Sequence, residues 1–147
     1  YENALKNTKR LFPIKIESMR EFTERILGAI FPSGMMSLMQ EDMGPIDSMW
    51  ILSNIVHTNG ATALLYPEVL DEVVKLADSE LLLLPSSRHE IIAVSVEALK
   101  LTGQKTEVVQ RMVHEINMEH VPLGEQLSNE VYLYGNTREV TLANPFR

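Results

Sequence analysis

Two hydroxyls, an imidazole and a carboxylate fall within the seven residues Leu84-Pro85-Ser86-Ser87-Arg88-His89-Glu90. That is the inventory of a serine hydrolase: a hydroxyl to attack, a ring to take its proton and a carboxylate to hold the ring. The spacing speaks against it. Triad members normally converge from separate loops, whereas strand side chains alternate, which would send His89 and Glu90 to opposite faces. Glu90 would share a face with Ile92 and Val94 and could not orient His89. No Gly-x-Ser-x-Gly elbow is present to raise a nucleophile. Ser86, Ser87, His89 and Glu90 are therefore the catalytic candidates. The competing interpretation is a Pro-Ser-Ser turn whose hydroxyls bond nearby backbone groups and close a hairpin.

A second concentration of polar chemistry runs from Arg111 to His120. A zinc protease helix needs His-Glu-x-x-His, which puts two imidazoles one turn apart on one metal. Here Met118 stands where the second histidine would be, and the inverted order fails at Ile116. His114 and His120 are about 240° apart around a helix of 3.6 residues per turn. His114 is expected on the polar face with Gln110 and Asn117, and His120 at the helix end, where a cation is favourable. No metal site follows. His57 belongs to a turn, and the glycines form no phosphate-binding loop, so no cofactor is expected.

Five of the eight methionines lie between residues 35 and 49. Methionine is flexible and polarizable, which suits irregular cores and adaptable binding surfaces alike. Met35, Met36, Met39 and Met43 fit one side of a short helix, and Trp50 follows on the next strand. These five are the candidate binding residues.

The elements that must position these groups read as follows. Ser18 and Glu21 form a capping box opening a helix to about Ala29, behind a first helix over about Glu2 to Arg10. MWILSNIV from Met49 reads as a strand. Asn59-Gly60 suits a type I′ turn, with ATALLY as the returning strand. Pro67 opens a helix that buries Val69, Leu70, Val73, Val74 and Ala77. ELLLL, apolar on both faces, reads as a central strand, and EIIAVSV follows it. ALKLTGQKT is a polar connection to a helix over about Glu107 to Glu119, and VYLYG with REVTLA makes a last hairpin turning at Gly135-Asn136. The expected fold class is α+β: a mainly antiparallel sheet of about six strands, hairpin-helix-hairpin-helix-hairpin, with helices on one face and a helical part over residues 1–48. Residues 1–147 form a single domain in this reading, a fragment of a longer protein.

Bulk properties narrow the function classes. The 147 residues are 45% hydrophobic and 22% charged, enough apolar material for one core. Absence of cysteine removes disulfides, thiolate metal sites and a cysteine nucleophile, and fits a reducing cytoplasm. No apolar run approaches the roughly 20 residues of a membrane span. Of the net charge of −7, residues 1–25 contribute +2 and residues 26–147 contribute −9. An acidic body argues against nucleic acid as a partner.

Several runs together resemble a known family. They are EN-x-L-x-NT-x-RLFP at 2–13, WILSN at 50–54, NGATALLYPEVL at 59–70, ELLLLPSSRHEII at 80–92, MVHEINMEHV at 112–121 and LSNEVYLY at 127–134. The set resembles the C-terminal half of an uncharacterised bacterial family, domain of unknown function 5688. The resemblance implies a separate N-terminal portion and imports no mechanism. Arg88 and Ile55 depart from its pattern, which has an apolar residue and a lysine there. The expected function is a non-catalytic module that binds a protein or peptide, in part through exposed edge strands. The alternative is a small hydrolase or transferase using Ser86 or Ser87 with His89.

Overall fold

A computed structural model of the chain describes residues 1–30, 46–85 and 87–143, with side chains except those of 26–30, 46, 116 and 120. Six strands form one antiparallel sheet: β1 (Ile14–Ser18), β2 (Met49–Asn54), β3 (Leu81–Leu84), β4 (Ile91–Ser95), β5 (Tyr132–Tyr134) and β6 (Thr141–Leu142). Their spatial order is β1-β2-β4-β3-β5-β6. The α+β class and the antiparallel six-stranded sheet are as expected.

The four leucines of β3 explain the layering. Leu81 and Leu83 enter one hydrophobic cluster with Trp50, Leu52, Ile91 and Ala93. Leu82 and Leu84 enter another with Val94, on the opposite side of the pleat. Each buried leucine is worth about 1.5–3 kcal/mol relative to exposure, so both faces need cover. On the first, α3 (Pro67–Ala77) supplies Leu70 and Val73. On the second, α4 (Val96–Leu101) supplies Leu99, and α5 (Thr106–His120) supplies Val109 and Val113. Helices on one face only was therefore incorrect. A central strand with no polar side has two apolar surfaces to hide.

The N-terminal part is not wholly helical. Between α1 (Glu2–Leu11) and α2 (Met19–Ile30) lies β1, which pairs with β2 from Ile14 opposite Asn54 to Ser18 opposite Trp50. Ile14 and Ile16 face the first core, while Lys15 and Glu17 take the other side. The expected capping box is present: the Ser18 N–H donates to Glu21 Oε2, and the Glu21 N–H to Ser18 Oγ, both at 3.1 Å. α1 is tied to the start of α3, where the Tyr66 hydroxyl donates to the Leu5 carbonyl and Lys9 pairs with Glu68.

ATALLY is not a returning strand. Residues Gly60–Leu65 form a 3-10 helix, and β2 takes β1 as its neighbour instead. Asn59 does adopt the left-handed conformation, at φ 54°. Gly60 is demanded by crowding: a Cβ there would lie 2.5 Å from the His89 carbonyl oxygen and 2.7 Å from the Ser53 Cα, and closer still to Ser53 Oγ. The connection expected between β4 and α5 contains α4, whose cap is the Ser95 hydroxyl accepting the Ala98 N–H at 3.2 Å. In α5, His114 is exposed as expected, but Asn117 is buried, donating to the Ser128 carbonyl and to Asn129. No helix among the described residues is long and apolar enough to cross a membrane.

Candidate functional site

Residues 59–61 and the residues Arg88-His89 ahead of β4 meet at one end of the sheet. β2 ends there in Ser53-Asn54, residues 87–90 lead into β4, and residues 122–130 pass beside them before β5. Asn54 shapes the first loop from within. Its Oδ1 accepts the N–H groups of Val56 and Thr58 at 3.1 and 3.2 Å, and its Nδ2 donates to the Thr58 carbonyl at 2.6 Å. An asparagine closing a turn onto its own backbone is a standard use of that side chain. The loop that results holds His57 and Asn59 at φ 52° and 54°.

Stitches then join the loops. The Ser53 hydroxyl donates to the His89 carbonyl at 2.7 Å, and the Ala61 N–H to the Arg88 carbonyl at 3.1 Å. The Arg88 N–H donates to the Glu125 carbonyl at 2.9 Å, and the Ser128 N–H to the Pro85 carbonyl at 3.0 Å.

His89 sits at the junction, partly exposed. Its Nδ1 accepts the Asn59 backbone N–H at 3.1 Å. A ring nitrogen that accepts carries no proton, so the neutral ring bears its hydrogen on Nε2. Nε2 faces Glu125 Oε1 at 3.4 Å. Arg88 Nε also lies 3.5 Å from Nε2. With the proton on Nε2 this is a contact between two donors rather than a hydrogen bond.

The catalytic candidates separate accordingly. Ser87 Oγ accepts the N–H of His89 itself at 3.0 Å, and Ser87 pairs with Gln126 through a backbone bridge, so its hydroxyl serves the turn. Glu90 is half-buried just ahead of β4, and the carboxylate facing the imidazole is that of Glu125. Ser86 lies outside the described residues. Glu125, 36 residues from His89 in sequence, and the Asn59 amide were missed because only the fold brings them to the ring. No group of three or more His, Asp or Glu able to hold a metal occurs among the described residues.

Of the binding candidates, Met35, Met36, Met39 and Met43 lie outside the described residues. Trp50 is corrected: at 8% exposure it belongs to the first core. Apolar surface is instead exposed beside the Asn54 loop. A cleft of about 300 Å³ opens between α1 and this loop, lined by Thr8, Phe12, Asn54, Val56, Thr58, Asn59 and Thr62. Leu11, Phe12, Ile55 and Val56 remain 58%, 42%, 58% and 52% exposed around it. The Ile55 N–H, donating to the Pro13 carbonyl at 3.1 Å, ties the two sides together.

Two charged clusters lie elsewhere and brace the fold. The Arg25 guanidinium, hydrogen-bonded to the buried Glu17 carboxylate at 3.1 Å, holds its pKa below the usual range against the opposing effect of burial. The Tyr134 hydroxyl donates to Asp71 Oδ1 at 2.7 Å, and Arg138 pairs with the other carboxylate oxygen. The Tyr134 bond, then Arg138, lowers the Asp71 pKa. Burial foremost, and Asp71 next, raises that of Tyr134.

A model of a family of unknown function, DUF5688, matches residues 1–136, and the chain belongs to that family. No curated protein and no solved structure matches it.

Proposed function

We propose that this DUF5688 member is a non-catalytic interaction module of the bacterial cytoplasm, holding a protein or peptide partner at the loop end of its sheet. One observation carries the reading. Four large apolar side chains, Leu11, Phe12, Ile55 and Val56, stay half or more exposed, or close to it, around a cleft that two of them line. Neighbouring apolar groups left in water are the usual mark of a docking surface. The cleft adds concavity, and its Asn and Thr side chains add hydrogen-bonding groups that can fix a backbone's orientation. Nucleic acid suits this chain poorly, because residues 26–147 carry a net −9.

The hydrolase alternative has less behind it. Asn59 occupies one nitrogen of His89, the Ser87 hydroxyl is engaged with backbone, and Glu90 is not the carboxylate at the ring.

The test is selection of displayed 12-residue peptides on the folded chain, with Val56→Glu as the counter-target. A charge placed in the apolar rim is expected to weaken selected peptides at least tenfold, about 1.4 kcal/mol, with the urea midpoint unchanged. Enrichment no greater than on an unrelated protein, or peptides indifferent to Val56→Glu and Phe12→Ser alike, overturns the reading.

A further inference from the structure

The loop that walls the 300 Å³ cleft is held in place by acceptors. Asn54 Oδ1 takes the N–H groups of Val56 and Thr58, and His89 Nδ1 takes that of Asn59. The two acceptors differ in one respect. An amide oxygen accepts at every ordinary pH, whereas a protonated imidazole has two N–H donors and no acceptor. A proton on Nδ1 would face the Asn59 N–H, donor against donor.

We infer that His89 is a proton-sensitive latch on the 55–60 loop: the neutral ring holds Asn59 and closes the cleft wall, and the charged ring releases it. The latch itself rests on the hydrogen bond alone. Its consequence, a partner site whose shape depends on pH, rests on the function proposed above.

Three features make the release local. The loop contains two non-glycine residues in the left-handed region, His57 and Asn59, so it has unstrained conformations to relax into once freed. All of residues 55–59 are exposed, so nothing packed above them must move. The His89 backbone stays anchored meanwhile, because the Ser53 hydroxyl holds its carbonyl at 2.7 Å.

The charged groups around the ring come from two segments. Glu125, from the 122–130 segment, faces Nε2 at 3.4 Å. Arg88, from the β3–β4 turn, stands 3.5 Å from the same nitrogen. On the Nδ1 side the 55–60 loop presents the uncharged Asn59 N–H, and its own titratable group is the exposed His57.

The test is NMR on the free, isotope-labelled chain, which needs no partner. Long-range ring spectra are expected to show His89 as the Nε2–H tautomer at pH 8. On acidification to pH 5, a span across which histidines commonly charge, the Asn59 amide should shift in step with the His89 ring. Its hydrogen exchange, corrected for the intrinsic rate, should quicken roughly tenfold, the equivalent of one net hydrogen bond lost. In His89→Gln, whose amide oxygen can accept but cannot titrate, the step should vanish. In His57→Gln it should persist. An Nδ1–H tautomer at pH 8 overturns the latch, as does an Asn59 amide that ignores the His89 ring or follows His57 instead. Because the wild-type spectra decide the matter alone, a His89→Gln variant that misfolds leaves the test intact. A pH-independent loop that still captures peptides defeats the latch and spares the interaction module.

Discussion

Replacing Gly60 by alanine adds one methyl group at the point where the 55–60 loop crosses Ser53 and His89. That methyl would sit 2.5 Å from the His89 carbonyl oxygen and 2.7 Å from the Ser53 Cα, with Ser53 Oγ closer still. Rotating the Ser53 side chain relieves only the last of these. It would also break the bond to the His89 carbonyl and leave a buried hydroxyl unpaired. The other two contacts are with backbone, so the backbone at Ser53 and His89 must move away or the 3-10 helix must lift. Overpacking of this kind costs about 1–3 kcal/mol, and an orphaned hydroxyl adds about 1 kcal/mol or more. Alanine offsets about 0.4–1 kcal/mol by stiffening the unfolded chain. The net expectation is a loss of about 2–3 kcal/mol in urea unfolding, read by Trp50 fluorescence. Gly124→Ala, where an added Cβ meets nothing within 4 Å, should stay within about 0.5 kcal/mol of the parent. Gly60→Ala as stable as Gly124→Ala would refute the close approach of loop and turn, and with it the site built on them.

Two further outcomes concern the brace at the other side of the first core. Tyr134→Phe should cost about 1–2 kcal/mol in the same assay, because the buried hydroxyl bonded to Asp71 disappears; an unchanged midpoint would show that the bond contributes nothing. Asp71 has a folded pKa below its unfolded one, so its contribution is complete above the ordinary carboxylate range and fades as pH falls through the depressed value. The stability gap between the parent and Asp71→Asn should therefore be widest near neutral pH and narrow below about pH 4, and a gap that widens in acid would contradict the assigned direction.

What the sequence revealed and what it hid divide along physical lines. β3 and α3 were legible because each carries a strong local signal: four leucines in a row, and an apolar stripe opened by a proline at its first turn. β1 was hidden because five residues, Ile14 to Ser18, give too short an alternation to stand out beside two helices. The Asn59-Gly60 pair misled because the same dipeptide serves a hairpin turn and a crowded crossing, and only the position of Ser53 and His89 separates them. The Ser87 turn was anticipated from local chemistry. Glu125 could not be, since no spacing rule links it to His89. Asn117 was placed on a polar helix face, yet its amide is bonded to Ser128 and Asn129 in the interior, a tertiary demand that periodicity does not register.

The edges of the sheet bear on the docking site proposed above. A strand-adding peptide needs an edge that is long, flat and free of charge in the wrong place. β6 offers two residues, Thr141 and Leu142, too few for a ladder of any strength. β1 is longer but carries Lys15, and its inward Glu17 is buried and paired with Arg25. An edge lysine and an inward-pointing charge are the devices by which sheets discourage edge-to-edge pairing. Here Glu17 also anchors α2 through Arg25, so a strand arriving at β1 would have to disturb that pair to flatten the edge. The loop end imposes no such cost. Its apolar side chains are already in water, its walls are fixed by Asn54 and His89, and burying the exposed part of four large side chains there would remove apolar area from water without breaking an ion pair. Edge pairing was expected from the sequence as one route to a partner; the route we propose is docking in the groove between α1 and the 55–60 loop.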